Sequence, residues 1–262
     1  MLRFATLYSG SSGNSSLVWN GRTSLLIDLG VSCRKIVTAL AAFGLEPQDV
    51  TGVLLTHEHT DHISGCEVFL RKYGTPLYCT PRTRDHLLSR RWLSPSHRFV
   101  PVTGEILEIG DVWVTPFATS HDSASCVGYR LESGDAAVAV ATDIGTVTEE
   151  VYDHLRGCGI VALESNYDEY MLRHGPYARD LQDRIASRKG HLSNDECAAV
   201  AARLVRDGTG RIMLMHLSEE NNTPQTALTR VRSELENRGL DGAGCVIEAA
   251  PRHEPSACWE VR

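Results

Sequence analysis

Apolar residues come along this chain in short bursts, and nine of them have the length and make-up of β-strands. These are Phe4–Tyr8, Ser16–Trp19, Ser24–Ile27, Gly52–Leu55, Trp113–Phe117, Val127–Leu131, Ala136–Ala141, Ile160–Leu163 and Ile212–Met215. Elsewhere the apolar spacing lengthens to the helical period, and polar residues mark where helices start. Ser32 can cap a helix that runs through Leu40 and stops at Gly44, while Thr80-Pro81 and Thr223-Pro224 each open another. Ser193-Asn194-Asp195-Glu196 has the form of a capping box ahead of an alanine-rich run to Val205. Strands dominate early, and helices mixed with isolated strands follow. That order predicts a layered α/β fold rather than a bundle or a β-sandwich. No Pro/Gly/Ser-rich linker interrupts it, so residues 1–262 are expected to form a single domain.

The polar positions that break this pattern are the informative ones. Three of the 11 histidines fall within "HEHTDH", directly after the strand ending at Leu55. In extended backbone, residues two apart point to the same side, so His57 and His59 suit one metal ion while Glu58 and Thr60 turn away. Asp61 and His62 follow as the chain bends into the helix carrying Phe69 and Leu70, and they suit a second ion. Imidazole and carboxylate fit zinc, manganese or iron, and the lack of thiolate argues against a purely structural zinc site. A histidine-rich surface turn would look the same in isolation. However, His121 stands just past "VWVTPFATS", Asp143 just past "AAVAVAT", and His216 just past "RIMLM". Four strand ends each carry a candidate ligand, and strand ends are where α/β sheets gather their active sites.

Composition changes this picture only at its margins. A net charge of −7 argues against broad, non-specific nucleic-acid binding but leaves room for a local basic groove. No apolar stretch approaches membrane-spanning length, and the N-terminus lacks the apolar core of a signal peptide. The eight cysteines are scattered without C-x-x-C spacing, which suits reduced, mostly buried thiols in a cytoplasmic protein.

The order His-x-His-x-Asp-His, then His, Asp and His resembles the metallo-β-lactamase superfamily, from the first strand to beyond His216. That resemblance implies a four-layer αβ/βα sandwich with its site at one edge of two sheets. It implies that His57, His59 and His121 hold one divalent ion, that Asp61, His62 and His216 hold another, and that Asp143 bridges them. Two such ions, zinc or manganese with iron also compatible, would activate a bridging hydroxide for hydrolysis without a covalent protein intermediate. Asp61 would also orient the nucleophile or accept its proton. Glu164, in "VALESNYD", is either a partner of these ligands or a solvated strand-end acid.

Three features narrow the substrate. No signal peptide is visible, unlike in exported β-lactam hydrolases. His59 stands where redox members of the superfamily carry Glu. Asp143 and His216 are 73 positions apart, and the gap holds the strand Ile160–Leu163 and two helices, too little for the inserted cap of β-CASP RNA nucleases. Eight segments, "SGSSGNSS", "LLTHEHTDHISG", "TSHDS", "ATDIG", "LESNYD", "GPY", "GHLSN" and "HLSEENN", are similar in order to the YycJ (WalJ) branch, whose members are regarded as intracellular nucleases. The resemblance implies 5′-to-3′ exonuclease action on DNA. Tyr167 departs from that branch's common histidine and receives no catalytic role.

Residues outside the metal set give the phosphodiester reading partial support. From Pro81 to Arg98, five arginines (82, 84, 90, 91 and 98) oppose a single acid, Asp85, with Trp92 among them. This is either a strand-tracking patch or a solvated amphipathic helix with Leu87, Leu88 and Trp92 inward. His191, just ahead of the Ser193-Asn194 helix start, combines an imidazole with free helix amides, a pairing able to hold a phosphate and protonate a leaving oxygen. Ser11, Ser12 and Asn14 in "SGSSGN" offer small residues and amides for phosphate, or a hairpin that needs Gly10 and Gly13. Nucleic acid, DNA in particular, is therefore the expected substrate, with no membrane partner and no assignment of oligomeric state. A small-molecule hydrolase of phosphodiesters, lactones or thioesters at the same site is the alternative. A metal-stabilised binding protein is a third possibility, disfavoured by a complete seven-residue ligand set.

Overall fold

Along Ala136–Ala141, alternate residues enter two different cores: Ala137, Ala139 and Ala141 join one, while Ala136, Val138 and Val140 join the other. A strand apolar on both faces must lie inside a layered structure. The computed structural model, which describes residues 1–262, shows that layering. Six strands form the first sheet in chain order: β1 (Leu2–Tyr8), β2 (Ser15–Trp19), β3 (Ser24–Ile27), β4 (Gly52–Leu54), β5 (Leu77–Cys79) and β6 (Phe99–Pro101). The next seven form the second: β7 (Leu107–Ile109), β8 (Val112–Ala118), β9 (Val127–Ser133), β10 (Ala136–Ala141), β11 (Ile160–Glu164), β12 (Arg211–Met215) and β13 (Val246–Ala249). A final strand, β14 (Trp259–Val261), returns to pair antiparallel with β1.

Each sheet begins with antiparallel hairpins and continues with parallel strands. Parallel neighbours need crossovers, and the helices supply them. In the first sheet these are α1 (Cys33–Ala41), α2 (Thr60–Ile63), α3 (Cys66–Tyr73) and α4 (Pro81–Ser89). In the second they are α5 (Glu149–Leu155), α6 (Glu169–His174), α7 (Arg179–Ile185), α8 (Asn194–Arg206) and α9 (Pro224–Asn237). Ser32, Thr80 and Thr223 cap α1, α4 and α9 through their side chains, and Ser193 with Glu196 forms the capping box of α8. Each such cap stabilises its helix by about 1 kcal/mol.

Three apolar clusters, of 23, 22 and 26 residues, fill the helix–sheet, sheet–sheet and sheet–helix interfaces of a four-layer αβ/βα sandwich. Tyr129 on β9 also donates its hydroxyl to the Leu55 carbonyl at 2.7 Å, tying the second sheet to the chain just past β4. Two expectations need correction. The segment between Asp143 and His216 holds four helices, not two: α5 before β11 and α6, α7 and α8 after it, of which α5, α6 and α7 are each only about two turns long. Around α4, Leu87 and Leu93 are buried while Trp92 lies on the surface, 41% exposed: the turn at Arg91, with φ 57°, swings Leu93 rather than Trp92 onto the core.

Candidate metal centre

Strand β4 stops at Leu54, β8 at Ala118, β10 at Ala141 and β12 at Met215, and within three residues of each stands His57, His121, Asp143 or His216. His59 precedes α2, and Asp61 and His62 occupy its first turn, so the two side chains leave the helix in different directions. Donor atoms of His57, His59 and His121 all lie within 4.8 Å of one another, as do those of Asp61, His62 and His216. Asp143 stands between the groups. Its Oδ1 is 3.5 Å from His121 Nε2 and 3.7 Å from His216 Nε2, and its Oδ2 is 3.2 Å from His62 Nε2. All seven predicted ligands therefore converge on one site, and the groups overlap, since donor atoms of His57, His62 and Asp143 also lie within 4.8 Å of one another, as do those of Asp143, Glu164, His191 and His216.

The site is built for a cation. His57 Nε2 is buried without a hydrogen-bond partner, a condition that costs about 1–3 kcal/mol unless something satisfies it. Burial holds His57 and His59 below the usual imidazole range, leaving neutral rings ready to ligate. Burial also opposes protonation of His62, yet the Asp143, Asp28 and Asp61 carboxylates around it outweigh that and raise it well above. The same contest, with Asp143, Asp61 and Glu164, lifts His216 to about 10. In turn His62 and His216 overcome the burial of Asp61 and Asp143 and keep both ionised. Carboxylates and imidazoles crowded this closely fit divalent metal ions, and none of the cysteines joins the groups.

Partners behind the ligands fix their rings. Asp28, just past β3, accepts from His62 Nδ1 at 2.7 Å and from Thr56 N at 2.8 Å. Glu164, fully buried at the end of β11, accepts from His216 Nδ1 at 2.9 Å and His191 Nδ1 at 2.8 Å. The Gly190 carbonyl lies 3.0 Å from His121 Nδ1. Such contacts leave Nε2 facing the centre and raise its basicity. Glu164 is thus a partner of the ligands rather than a solvated acid. Asp28 escaped the sequence reading, although it ends the apolar run "SLLI" in the way Asp143 ends "AAVAVAT". Asp28, Asp143 and His216 are three of the four non-glycine residues with left-handed φ (61°, 56° and 56°), so backbone strain concentrates here.

A cavity of about 200 Å³ opens beside the cluster, and His191 and Ser11 line it. Ser12 and Asn14 do not: Ser12 faces solvent, and Asn14 is buried against Asp61, donating its backbone N–H to the Asp61 carbonyl at 2.8 Å. Gly30 permits this, since a Cβ there would stand 1.7 Å from that carbonyl oxygen. "SGSSGN" is thus both a hairpin, with Gly10 and Gly13 at φ 139° and 153°, and a brace for Asp61. Ser193 and Asn194 also stay out of the cavity. The Ser193 hydroxyl is used within the capping box, while the Asn194 side chain bonds Ser165 and Asn222. The Asn194 amide is taken by the Tyr167 carbonyl, and the Ser193 and Glu196 amides are taken within the capping box, so none of the three is free for a phosphate. Tyr167 is buried beside it. None of the five arginines around α4 lines the cavity, and Arg84 bonds its neighbour Asp85. The residues that reasoning from sequence missed are Tyr177, Leu181 and Arg184 of α7 and the preceding loop, together with Asp122. Tyr177 and Asp122 fall within the segments "GPY" and "TSHDS" but were given no role there, and nothing local to Leu181 or Arg184 signals the site.

Residues 23–217 match the model of a β-lactamase superfamily domain. The chain is 35% identical to the exodeoxyribonuclease YycJ of Bacillus anthracis, over 94% of each chain. It is 34% identical to the exodeoxyribonuclease WalJ of Streptococcus pneumoniae, over 91% of this chain and 90% of that one. Among solved structures, the metallo-β-lactamase fold protein YhfI of Bacillus subtilis superimposes with a TM-score of 0.73 at 16% identity, over 99% of this chain and 100% of that one.

Proposed function

Since the chain belongs to the β-lactamase superfamily and folds as a metal-dependent hydrolase of that kind, we propose that it is an exodeoxyribonuclease working through two divalent ions, zinc or manganese. The observation that carries this reading is the near-full-length similarity to two exodeoxyribonucleases, joined to a complete His/Asp cluster at the strand ends. A small-molecule substrate is not favoured, because the similarity extends over nine-tenths of the chain rather than the metal motif alone. Eight free thiols support a reducing, cytoplasmic setting.

In this reading His57, His59 and His121 would hold one ion and Asp61, His62 and His216 the other, with Asp143 available to both. Bound ions supply Lewis acidity and lower the pKa of water. The chain supplies the rest. Asp61 Oδ2, 3.3 Å from His216 Nε2 and reached by the Asn14 amide, orients the nucleophile and takes its proton. His191 reaches the cavity with its Nδ1 bound to Glu164. Burial opposes its charge, but Glu164 and Asp143 outweigh it and raise its pKa, so the ring can carry a proton for the leaving oxygen.

The test is a panel of single- and double-stranded DNA and RNA, with 5′ or 3′ phosphate or hydroxyl, incubated with zinc or manganese. A 5′-to-3′ exonuclease releases a 5′ label at once as mononucleotide, while a 3′-labelled strand shortens stepwise. Turnover of a generic phosphodiester with all DNA left intact would overturn the reading.

A second expectation concerns loading. Without metal at neutral pH, His62 and His216 are protonated because their carboxylate neighbours hold them above the usual range. A ligating imidazole must be neutral, so loading releases about two protons per chain, and affinity weakens as pH falls. Titration calorimetry in buffers of different ionisation enthalpy measures this number. No buffer dependence would show that both rings are already neutral in the metal-free protein.

A further inference from the structure

A nucleic-acid strand entering this cavity meets a wall that the metal motif does not supply. Three carboxylates line the cavity, Asp61, Asp122 and Asp143, and Arg184 is the one lysine or arginine among the lining residues. Asp61 and Asp143 belong to the candidate ligand set. Asp122 does not: one oxygen lies 3.4 Å from His121 Nε2 and the other accepts from Arg184 Nε at 2.5 Å. Arg184 therefore spans the cavity mouth, from α7 to the loop that follows β8.

The position of Arg184 is rigid at its base and free at its tip. After Ile185 the chain turns so tightly that a Cβ on Gly190 would stand 2.0 Å from the Ile185 carbonyl oxygen. Gly190 in turn bonds the His121 ring through its own carbonyl, and a Cβ on Gly145 would meet the Arg188 carbonyl oxygen at 2.3 Å. The end of α7 is thus locked to the candidate metal ligands. The Arg184 side chain itself is 60% exposed and held by a single carboxylate. Tyr177 and Leu181, the latter 37% exposed, line the same cavity as Arg184 and add an aromatic and an aliphatic side chain to it.

A guanidinium is always charged and offers a planar fork that matches phosphate oxygens. An aromatic ring beside it suits a base or sugar with no preference for sequence. We propose that Arg184 is the strand-gripping residue: its guanidinium exchanges Asp122 for a backbone phosphate next to the scissile bond, while Tyr177 and Leu181 support the adjoining base and sugar. This rests on the nuclease reading. Within that reading it assigns specificity for a polyanionic strand to α7 rather than to the arginine-rich α4.

Salt dependence of binding provides the test. The metal-loaded protein is titrated with a duplex whose ends carry nuclease-resistant phosphorothioate linkages, across a range of salt concentrations. Losing one phosphate contact in Arg184→Gln makes the slope of log Kd against log salt shallower by about 0.7–0.9. Affinity for DNA falls roughly tenfold in Arg184→Gln, and by a similar factor in Tyr177→Ala, while Tyr177→Phe keeps the ring and binds normally. Arg184→Lys keeps the charge and the slope, but its KM rises because the fork is gone, with kcat little changed. An unchanged slope in Arg184→Gln, with unchanged melting temperature, overturns the role of Arg184. Wild-type protein that does not bind DNA at all overturns the nuclease reading instead.

Discussion

Asp61→Ala is expected to remove DNA digestion almost entirely, by about 10³–10⁴-fold, while leaving the fold intact. The size follows from how many tasks meet at this carboxylate. One oxygen lies 3.3 Å from His216 Nε2 and 3.5 Å from His62 Nε2, so its loss opens one ligand group at its centre. Asp61 also lines the cavity where a nucleophile must be oriented. Asp61 is also braced: Asn14 grips its backbone and side chain, and Gly30 leaves the space for that approach. The brace depends on the Asp61 main chain, so alanine leaves the loop in place and circular dichroism should match wild type. Bound metal, measured on purified protein, should fall below the wild-type stoichiometry. Asp61→Asn separates the roles, since the amide retains size but cannot accept a proton. Digestion by Asp61→Ala at the wild-type rate would trace the activity to a contaminant.

What sequence could and could not disclose follows from distance along the chain. His57, His59, Asp61 and His62 were legible because six consecutive residues carry them, and extended backbone sorts such a stretch by alternation. His121, Asp143 and His216 were legible by a weaker rule, that polar residues ending apolar strands gather at one edge. Asp28 obeys the same rule, but one carboxylate 34 positions from its partner His62 carries no local sign of pairing. Arg184 lies 62 positions from Asp122, and only the tight turn at Gly190 brings α7 over the cavity.

The same division runs through the fold. Strands β2, β3 and β10 are buried on both faces and read as continuous apolar runs, so they were predicted nearly to the residue. The missed strands, β5, β6, β7, β13 and β14, are three or four residues long, and the last four are sheet edges. An edge strand packs against one neighbour only, so it needs little length and tolerates residues such as Pro101 in β6. The helix that Ser193 opens raised the expectation of a phosphate site at its N-terminus. Sequence identified the cap correctly but could not reveal that the Tyr167 carbonyl already occupies the Asn194 amide.

Glu164→Gln should be nearly as damaging as the loss of a ligand, although Glu164 itself need touch neither metal nor DNA. Its two oxygens serve four donors: Ile144 N at 2.7 Å and Leu192 N at 3.2 Å on one, His191 and His216 Nδ1 on the other. A glutamine keeps one acceptor and turns the other into a donor. Aimed at the backbone amides, its NH₂ meets two donors that cannot reverse. Aimed at the rings, it drives both imidazoles to the tautomer with hydrogen on Nε2, and His216 Nε2 is the atom that faces Asp61 and the centre. The second choice spares the fold at about 1–3 kcal/mol of stability and weakens metal binding by about 10–100-fold. His191 changes too. The Glu164 charge holds its pKa up, so a proton donor at this position stays protonated to higher pH in wild type. Without that charge, activity should fall away at lower pH on the alkaline side of the profile. Thermal melting, metal titration and a pH–rate profile measure the three effects separately. A variant with wild-type metal affinity and an unmoved alkaline limb would show that the rings are oriented by something other than this carboxylate.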